Sequence, residues 1–225
     1  MDMRLVAPSL LAADFLHLDK EIEMINNYAD ILHLDIMDGT FVPNISFGFS
    51  VIDSIYKVVK KPMDVHLMIV HPEKYIKQFA QKGASMISFH LEAAEAAGID
   101  PAELVDMIHS CGDIKAGIAI NPDVPVEKLY PYLEMADYIL LMSVFAGFGG
   151  QKFIEDTLGR VKALKAEMAS RGLDKPVQVD GGVTILNADE IAESGVNILV
   201  AGSAVFKSSD PKESMDLIRG IKPQK

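Results

Sequence analysis

The 225-residue chain is 49% hydrophobic and 24% charged, a composition that predicts one large or two small globular domains. Its net charge of −11 argues against nucleic-acid binding, and no apolar run approaches the roughly 18 residues that span a membrane. The single cysteine, Cys111, excludes an internal disulfide, and together with the lack of a signal-peptide pattern it predicts a cytoplasmic protein.

Eight short apolar runs, each followed by a stretch with helical character, are predicted as strands. In chain order they occupy residues 4–10, 31–37, 63–68, 86–92, 115–121, 138–144, 176–180 and 196–202. Three of the intervening helices have clear start and stop signals. Their predicted limits are Pro72 to Gly83, Asp100 to Gly112 and Asp210 to Gly220.

Alternating strands and helices predict a parallel sheet covered by helices. Eight such units fill nearly the whole chain without a linker, so we predict a single (β/α)8 barrel domain over residues 1–225. An open doubly wound sheet is the alternative. It is disfavoured because SLLAAD (9–14) follows the first strand in place of the glycine fingerprint of a dinucleotide-binding fold.

Three of the predicted strands carry polar side chains on one face. These are His33 and Asp35 in 31–37, Asp64 and His66 in 63–68, and Gln178 and Asp180 in 176–180. In a barrel that face points into the interior, close to the mouth at which such enzymes keep their chemistry. A single histidine or aspartate there is usually structural. Two of each converging on one mouth (His33, Asp35, His66 and Asp180) predict a divalent metal site.

Glycine-rich turns follow the last three predicted strands, with AGFGGQ at 146–151, DGGV at 180–183 and AGS at 201–203. Such turns expose backbone N–H groups, and the last loops of a barrel are a common phosphate site. Each one alone is explained equally well as a simple turn. Three in adjacent loops predict a phosphate site held by backbone dipoles, in a chain whose overall charge repels anions.

These motifs resemble the ribulose-phosphate 3-epimerase family over essentially the full length of the chain. The resemblance rests on APSLLAADF (7–15), HLDIMDGTFVPNISFG (33–48), MDVHLM (63–68), GFGGQKF (147–153), VDGGV (179–183) and VAGSAVF (200–206). It implies a TIM barrel of the ribulose-phosphate binding type that interconverts D-ribulose 5-phosphate and D-xylulose 5-phosphate in the pentose phosphate pathway. It also implies one divalent metal ion per chain, with zinc, iron(II), manganese and cobalt all compatible with the ligands.

The resemblance further implies a role for individual residues. The metal ligands are His33, Asp35, His66 and Asp180, and Asp35 and Asp180 exchange protons with opposite faces of an enediolate. The implied substrate contacts are Ser9, His66, Gly147, Phe148, Gly149, Gly150, Asp180, Gly181, Gly182, Gly202 and Ser203. Met37, Met68 and Met142 resemble methionines that line the reacting carbons, and core filling is their alternative role.

The chain departs from the family pattern at two places. The family commonly has Asn-Pro where this chain has Phe145-Ala146, and losing the fixed φ of proline predicts a looser start to the glycine-rich loop. It often has His at the position of Thr40. His90 and Glu92 share one face at the end of the fourth predicted strand, either as structural groups or as partners of the metal ligands.

Two rival functions stay open at this point. A six-carbon ketose phosphate, as in epimerisation between D-allulose 6-phosphate and D-fructose 6-phosphate, would use the same strand motifs. A non-catalytic phosphosugar-binding barrel is disfavoured because both acid-base residues are present. We expect a small sugar phosphate as partner, a homo-oligomer, and no nucleic acid, membrane or nicotinamide.

Overall fold

The computed structural model describes residues 4–221, so the predicted domain of residues 1–225 extends beyond the described residues at both ends. Eight parallel strands form one sheet, in the order β1-β8-β7-β6-β5-β4-β3-β2. They are β1 Leu5–Pro8, β2 Leu32–Met37, β3 Met63–Met68, β4 Ala84–His90, β5 Lys115–Ile120, β6 Tyr138–Met142, β7 Val177–Asp180 and β8 Ile198–Ala201.

The two ends of this strand order meet. The backbone N–H groups of Asp30 and Ile31, just before β2, donate to the carbonyl of Val6 in β1, and Ser9 pairs with His33. The sheet therefore closes into a barrel, which confirms the predicted (β/α)8 architecture and excludes the open doubly wound sheet.

Helices connect the strands and surround the barrel. They are α1 Leu18–Tyr28, α2 Phe49–Tyr56, α3 Ile76–Gln81, α4 Leu91–Ala97, α5 Pro101–Ser110, α6 Asp156–Ser170, α7 Ala188–Glu193, α8 Ser203–Phe206 and α9 Pro211–Arg219. Between β5 and β6 the connection is instead a 3₁₀ helix, Val126–Tyr132, which contains Pro131. Proline lacks a backbone N–H and clashes with the preceding turn, so an α-helix is disfavoured there. Within residues 4–221 no helix is both long and apolar enough to cross a membrane.

The predicted helix starts agree with the structure where a side chain caps the helix. Asp100 accepts the N–H of Ala102 at the start of α5, and Asp210 accepts the N–H of Glu213 at the start of α9. The start predicted at Pro72 is wrong, because residues 72–74 form a 3₁₀ turn that His71 does not cap. The end predicted for the fourth strand is also wrong: it ends at His90, and Glu92 lies in the first turn of α4.

The two faces of each strand have different surroundings. In β2, Leu32, Leu34 and Ile36 belong to the main apolar core between the barrel and its helices. Each such fully buried side chain contributes about 1.5–3 kcal/mol to stability. The alternating residues His33 and Asp35 lie inside the barrel and are also buried. The sheet thus aims its polar side chains at one interior, which opens at the C-terminal ends of the strands.

Candidate active site

Four side chains from three strands meet inside the barrel mouth, with one ligand atom of each within 4.8 Å of the others. They are His33 and Asp35 of β2, His66 of β3 and Asp180 of β7. Asp35 lies opposite His66 in the β2–β3 pairing, which brings these two side chains together.

The spacing of the ligand atoms suits a small divalent ion. Asp35 Oδ1 lies 3.3 Å from both His33 Nε2 and His66 Nδ1. Asp180 Oδ2 lies 3.7 Å and 3.4 Å from the same two nitrogens. Metal–ligand bonds of about 2.0–2.2 Å give a tetrahedron with edges of about 3.3–3.6 Å, which is close to these four separations.

The two histidine nitrogens that face the carboxylates lack another partner. Within the described part of the chain, His33 Nε2 and His66 Nδ1 form no hydrogen bond, and both rings are fully buried. A buried polar atom without a partner costs free energy, and a bound cation would satisfy both nitrogens at once. The donor set of two imidazoles and two carboxylates therefore fits a divalent transition metal.

A buried carboxylate fixes His33 from behind. His33 Nδ1 donates to Asp64 Oδ2 over 2.7 Å, and Asp64 also accepts from Gln178 Nε2 at 2.6 Å and from Tyr138 Oη at 3.1 Å. When Nδ1 carries the only ring proton, the neutral His33 ring directs its Nε2 lone pair to the position that an ion would occupy beside the two site carboxylates.

A second histidine lies behind His66. The Nε2 atoms of His66 and His90 are 2.9 Å apart, and both residues are fully buried. The sequence left His90 as either a structural group or a partner of a metal ligand. Its contact with the candidate ligand His66 favours the second role.

The electrostatic environment favours a cation among these groups. Burial alone would raise the pKa of Asp35, but His33 and His66 outweigh burial and hold that pKa well below its usual range. Burial alone would lower the pKa of His33 and His66, but the carboxylates of Asp35 and Asp180 raise both values, and Asp64 also raises that of His33. Protons and a divalent ion therefore compete for the same position.

A cavity of about 230 Å³ lies above the four ligands and opens at the mouth. Its lining includes Ser9, Asp35, Met37, Met68, Met142, Gly147, Phe148, Gly149, Gly150, Asp180, Gly181, Gly182, Gly202 and Ser203. The three glycine-rich loops and the three methionines predicted from the sequence therefore share one cavity. His33 and His66 are fully buried and do not belong to this lining, and the substrate contact of His66 stays a prediction.

Ser9 orients one of the two carboxylates. Its Oγ donates to Asp35 Oδ2 over 2.5 Å, a short charge-assisted hydrogen bond. The bond leaves Asp35 Oδ1 directed at the two histidines, so the carboxylate is held through both oxygens.

The loop after β6 is held by two asparagines. The N–H of Ala146 donates to Asn121 Oδ1 at 3.0 Å, and Asn44 Nδ2 donates to the carbonyl of Gly147 at 3.0 Å. A proline at position 146 could not donate the first of these bonds. The hydrogen bond from Ala146 to Asn121 therefore compensates for the fixed φ that a proline at position 146 would provide. Thr40 is exposed, and its N–H donates to Asp38 in its own turn.

Several residues of the site had no predicted role. Asp64 and Gln178 were placed on the interior face by strand alternation, so a signal for them was present in the sequence. Tyr138 lies in an apolar run that reads as core, and Asn121 ends a strand with no motif around it. Their partners are distant in sequence and become neighbours only in the closed barrel.

Comparison with known proteins gives consistent matches. Residues 5–206 match the model of the ribulose-phosphate 3 epimerase family. The chain is 44% identical over 218 residues to "Ribulose-phosphate 3-epimerase" from Synechocystis sp., covering 96% of this chain and 94% of that protein. It is 42% identical to the protein of the same name from Bacillus subtilis, covering 96% and 99% of the two chains.

The fold also has relatives among solved structures. A crystal structure of 3-hexulose-6-phosphate synthase superposes with a TM-score of 0.68 at 17% identity, over 97% of this chain and 99% of that one. At this identity the likeness concerns the barrel fold alone.

Proposed function

The chain belongs to the ribulose-phosphate 3-epimerase family and is an epimerase, and we propose that it interconverts D-ribulose 5-phosphate and D-xylulose 5-phosphate. The observation that carries the proposal is the pair of carboxylates, Asp35 and Asp180, on one cavity lined by three glycine-rich loops. The pair comes from β2 and β7, which are separated around the barrel by β1 and β8.

Inversion at a carbon beside a ketone requires a proton to leave from one face and another to arrive at the opposite face. In the proposed reaction one carboxylate takes the C3 proton, and the C–H electron pair forms the enediolate. The other residue, which starts in its carboxylic acid form, then delivers its proton to C3 from the other side and is left as a carboxylate. In the reverse direction Asp35 and Asp180 exchange roles, as microscopic reversibility demands.

A low pKa keeps Asp35 ionised at neutral pH, so it is ready to accept a proton but is a weak base. His33, Asp35, His66 and Asp180 would hold a divalent cation, which would supply Lewis-acid stabilisation for the negative charge that develops on the substrate oxygens. The carboxylate of Asp35 keeps a fixed position while the proton moves, because it contacts Ser9, His33 and His66.

The remaining cavity residues bind the substrate in this proposal. Backbone N–H groups of residues 147–150, 181–182 and 202–203 bind the phosphate, which the chain's negative charge would otherwise repel. Met37, Met68 and Met142 provide apolar, adaptable surface around the planar intermediate and exclude water from it. A cytosolic enzyme of pentose phosphate metabolism fits the sugar phosphate substrate and the single cysteine.

Metal analysis of the purified protein, paired with epimerase assays, tests the proposal. We expect one divalent ion per chain and faster turnover of D-ribulose 5-phosphate than of D-allulose 6-phosphate. Asp35→Asn and Asp180→Asn should each abolish epimerisation, with a loss beyond the roughly 10²–10⁴-fold typical of acid-base groups, because each also removes a metal ligand. Asp113→Asn, an exposed aspartate before β5, is the matched control and should keep full activity.

Proton exchange in deuterated water separates the two carboxylates. The wild-type enzyme should incorporate solvent deuterium at C3, and each variant should favour a different epimer in any exchange that it retains. Transfer of the same proton from substrate to product, or identical exchange in both variants, would contradict the two-sided mechanism.

A further inference from the structure

His66 and His90 meet edge to edge inside the barrel. Their Nε2 atoms are 2.9 Å apart, their ring centroids 5.0 Å apart, and their planes differ by 20°. A centroid distance of this size with so short an N–N contact places the rings nearly coplanar and in line, which is hydrogen-bond geometry. One of the two nitrogens must therefore carry the hydrogen while the other offers its lone pair.

The surroundings of His66 set the direction of this bond. His66 Nδ1 faces Asp35 and Asp180 and has no hydrogen-bond partner among residues 4–221. To bind a cation it must keep its lone pair, so the neutral ring carries its proton on Nε2. His66 then donates to His90, whose Nε2 has to be the acceptor.

Glu92 supports that state of His90. Its Oε2 is buried, lies 3.6 Å from His90 Nδ1 and forms no hydrogen bond within the described residues. Its Oε1 is fixed by the backbone N–H of Asn121 at 2.8 Å and by Asn121 Nδ2 at 3.1 Å. Asn121 Nδ2 lies 3.5 Å from His90 Nδ1, slightly nearer than Glu92 Oε2, but its shorter contact is the 3.1 Å hydrogen bond that it donates to Glu92 Oε1. The Glu92 carboxylate thus favours a proton on His90 Nδ1, which leaves Nε2 free to accept.

We infer that His90 is a positioning residue that fixes the tautomer and orientation of His66, with Glu92 and Asn121 fixing His90 in turn. This inference rests on the metal site of the proposed function. It accounts for a partly buried polar chain, from Asn121 through Glu92 and His90 to His66, that apolar residues could replace if packing were its only purpose.

Zinc affinity provides the first test, by competition with a chelating dye at constant pH. His90→Phe keeps a ring but removes the acceptor, so zinc binding should weaken about 10–100-fold. His90→Gln can place an amide oxygen near the former Nε2 and should recover most of that affinity. His71→Phe, an exposed histidine outside the site, is the control and should bind zinc like the wild type.

Nitrogen-15 NMR of the zinc-loaded wild-type protein gives a second readout that needs no variant. We expect the side-chain proton of His66 on Nε2 and that of His90 on Nδ1. A proton on His90 Nε2, or a His90→Phe protein with wild-type zinc affinity, would overturn the inference while leaving the metal site intact. Failure of the wild-type protein to bind zinc would overturn the proposed metal site and this inference with it.

Discussion

Asp64 carries its charge in a fully buried position and is held there by His33, Gln178 and Tyr138. Burial alone would raise its pKa, but His33 foremost, and then Gln178 and His66, lower it, so the carboxylate stays ionised and polarises the His33 imidazole. Asp64→Asn keeps the shape and removes the charge. We expect zinc affinity to fall about 10–100-fold in a competition titration.

Tyr138→Phe is the matched control for this prediction. It removes the 3.1 Å hydrogen bond to Asp64 Oδ1 and leaves the two bonds to Oδ2 in place. We expect a stability loss of about 1–3 kcal/mol with a much smaller change in zinc affinity. Equal effects of the two substitutions on zinc binding would show that the charge of Asp64 does not act through His33.

The raised pKa values of His33 and His66 predict that metal binding depends on pH. In the protein without metal these rings keep their protons to higher pH than the ordinary histidine value of about 6.5. Each proton must leave before the ring can bind the ion, so zinc affinity should rise with pH through and above that value. Calorimetry in buffers of different ionisation enthalpy should detect up to two protons released per ion. A zinc affinity that stays unchanged between about pH 6 and 8 would contradict this assignment.

At the scale of loops and strands, two glycines of the cavity should respond differently to the same change. Gly182 has a φ of +66°, and a Cβ there would lie 2.4 Å from the backbone nitrogen of Phe153. Gly182→Ala should therefore cost more than about 2 kcal/mol of stability. At Gly149 the nearest atom to a Cβ is Leu11 Cδ2, 3.9 Å away. Gly149→Ala should keep the wild-type melting temperature.

Kinetics of Gly149→Ala then test the phosphate loop without a folding defect. Its methyl group stands in the cavity lining, so KM should rise more than kcat falls, because phosphate binding is largely equal in the ground and transition states. A large fall in kcat at constant KM would assign the loop a role in the chemical step.

The asparagine contacts predict that the loop after β6 is positioned from outside. Asn44→Ala removes the bond to the carbonyl of Gly147 and leaves the bond between Ala146 and Asn121 in place. One hydrogen bond of this kind is worth about 0.5–1.5 kcal/mol, so KM should rise about two- to ten-fold. Faster amide hydrogen exchange in residues 146–150 should accompany the rise. An unchanged KM would show that the loop adopts its binding shape without this bond.

Strand periodicity placed the candidate ligands on the interior face of the barrel but did not identify the partners behind them. His33, Asp35 and His66 alternate with apolar residues, so they lie on one face of their strands. In a closed barrel that polar face points into the interior. Tyr138 contacts Asp64 from 74 residues away, a pairing that depends on the register of the whole barrel. The sequence predicted a helix after every strand, but the β5–β6 connection is a 3₁₀ helix that contains Pro131. The effect of this proline depends on its position within the segment, which the apolar pattern does not reveal.

On the scale of the whole molecule, the ligands join strands that lie on both sides of the β1–β8 pair. An ion bound to all four should therefore stabilise the folded barrel. At zinc concentrations about 1,000-fold above Kd the gain is about 4 kcal/mol. For a chain of this size each kcal/mol raises the melting temperature by about 2–4 °C.

We therefore expect calorimetry to show a rise of about 8–16 °C with zinc and its reversal by a chelator. His33→Ala is the control, since it removes one ligand and should lose most of the shift. A zinc-induced rise of equal size in that variant would place the ion elsewhere.

The ligands also appear at very different times as the chain is synthesised. His33, Asp35 and His66 precede residue 70, whereas Asp180 follows more than 100 residues later. A nascent chain therefore presents three candidate ligands for about half of its synthesis and acquires the fourth only when β7 can join the sheet. An interaction completed this late is absent from early folding steps, so the ion should slow unfolding and leave the folding rate nearly unchanged.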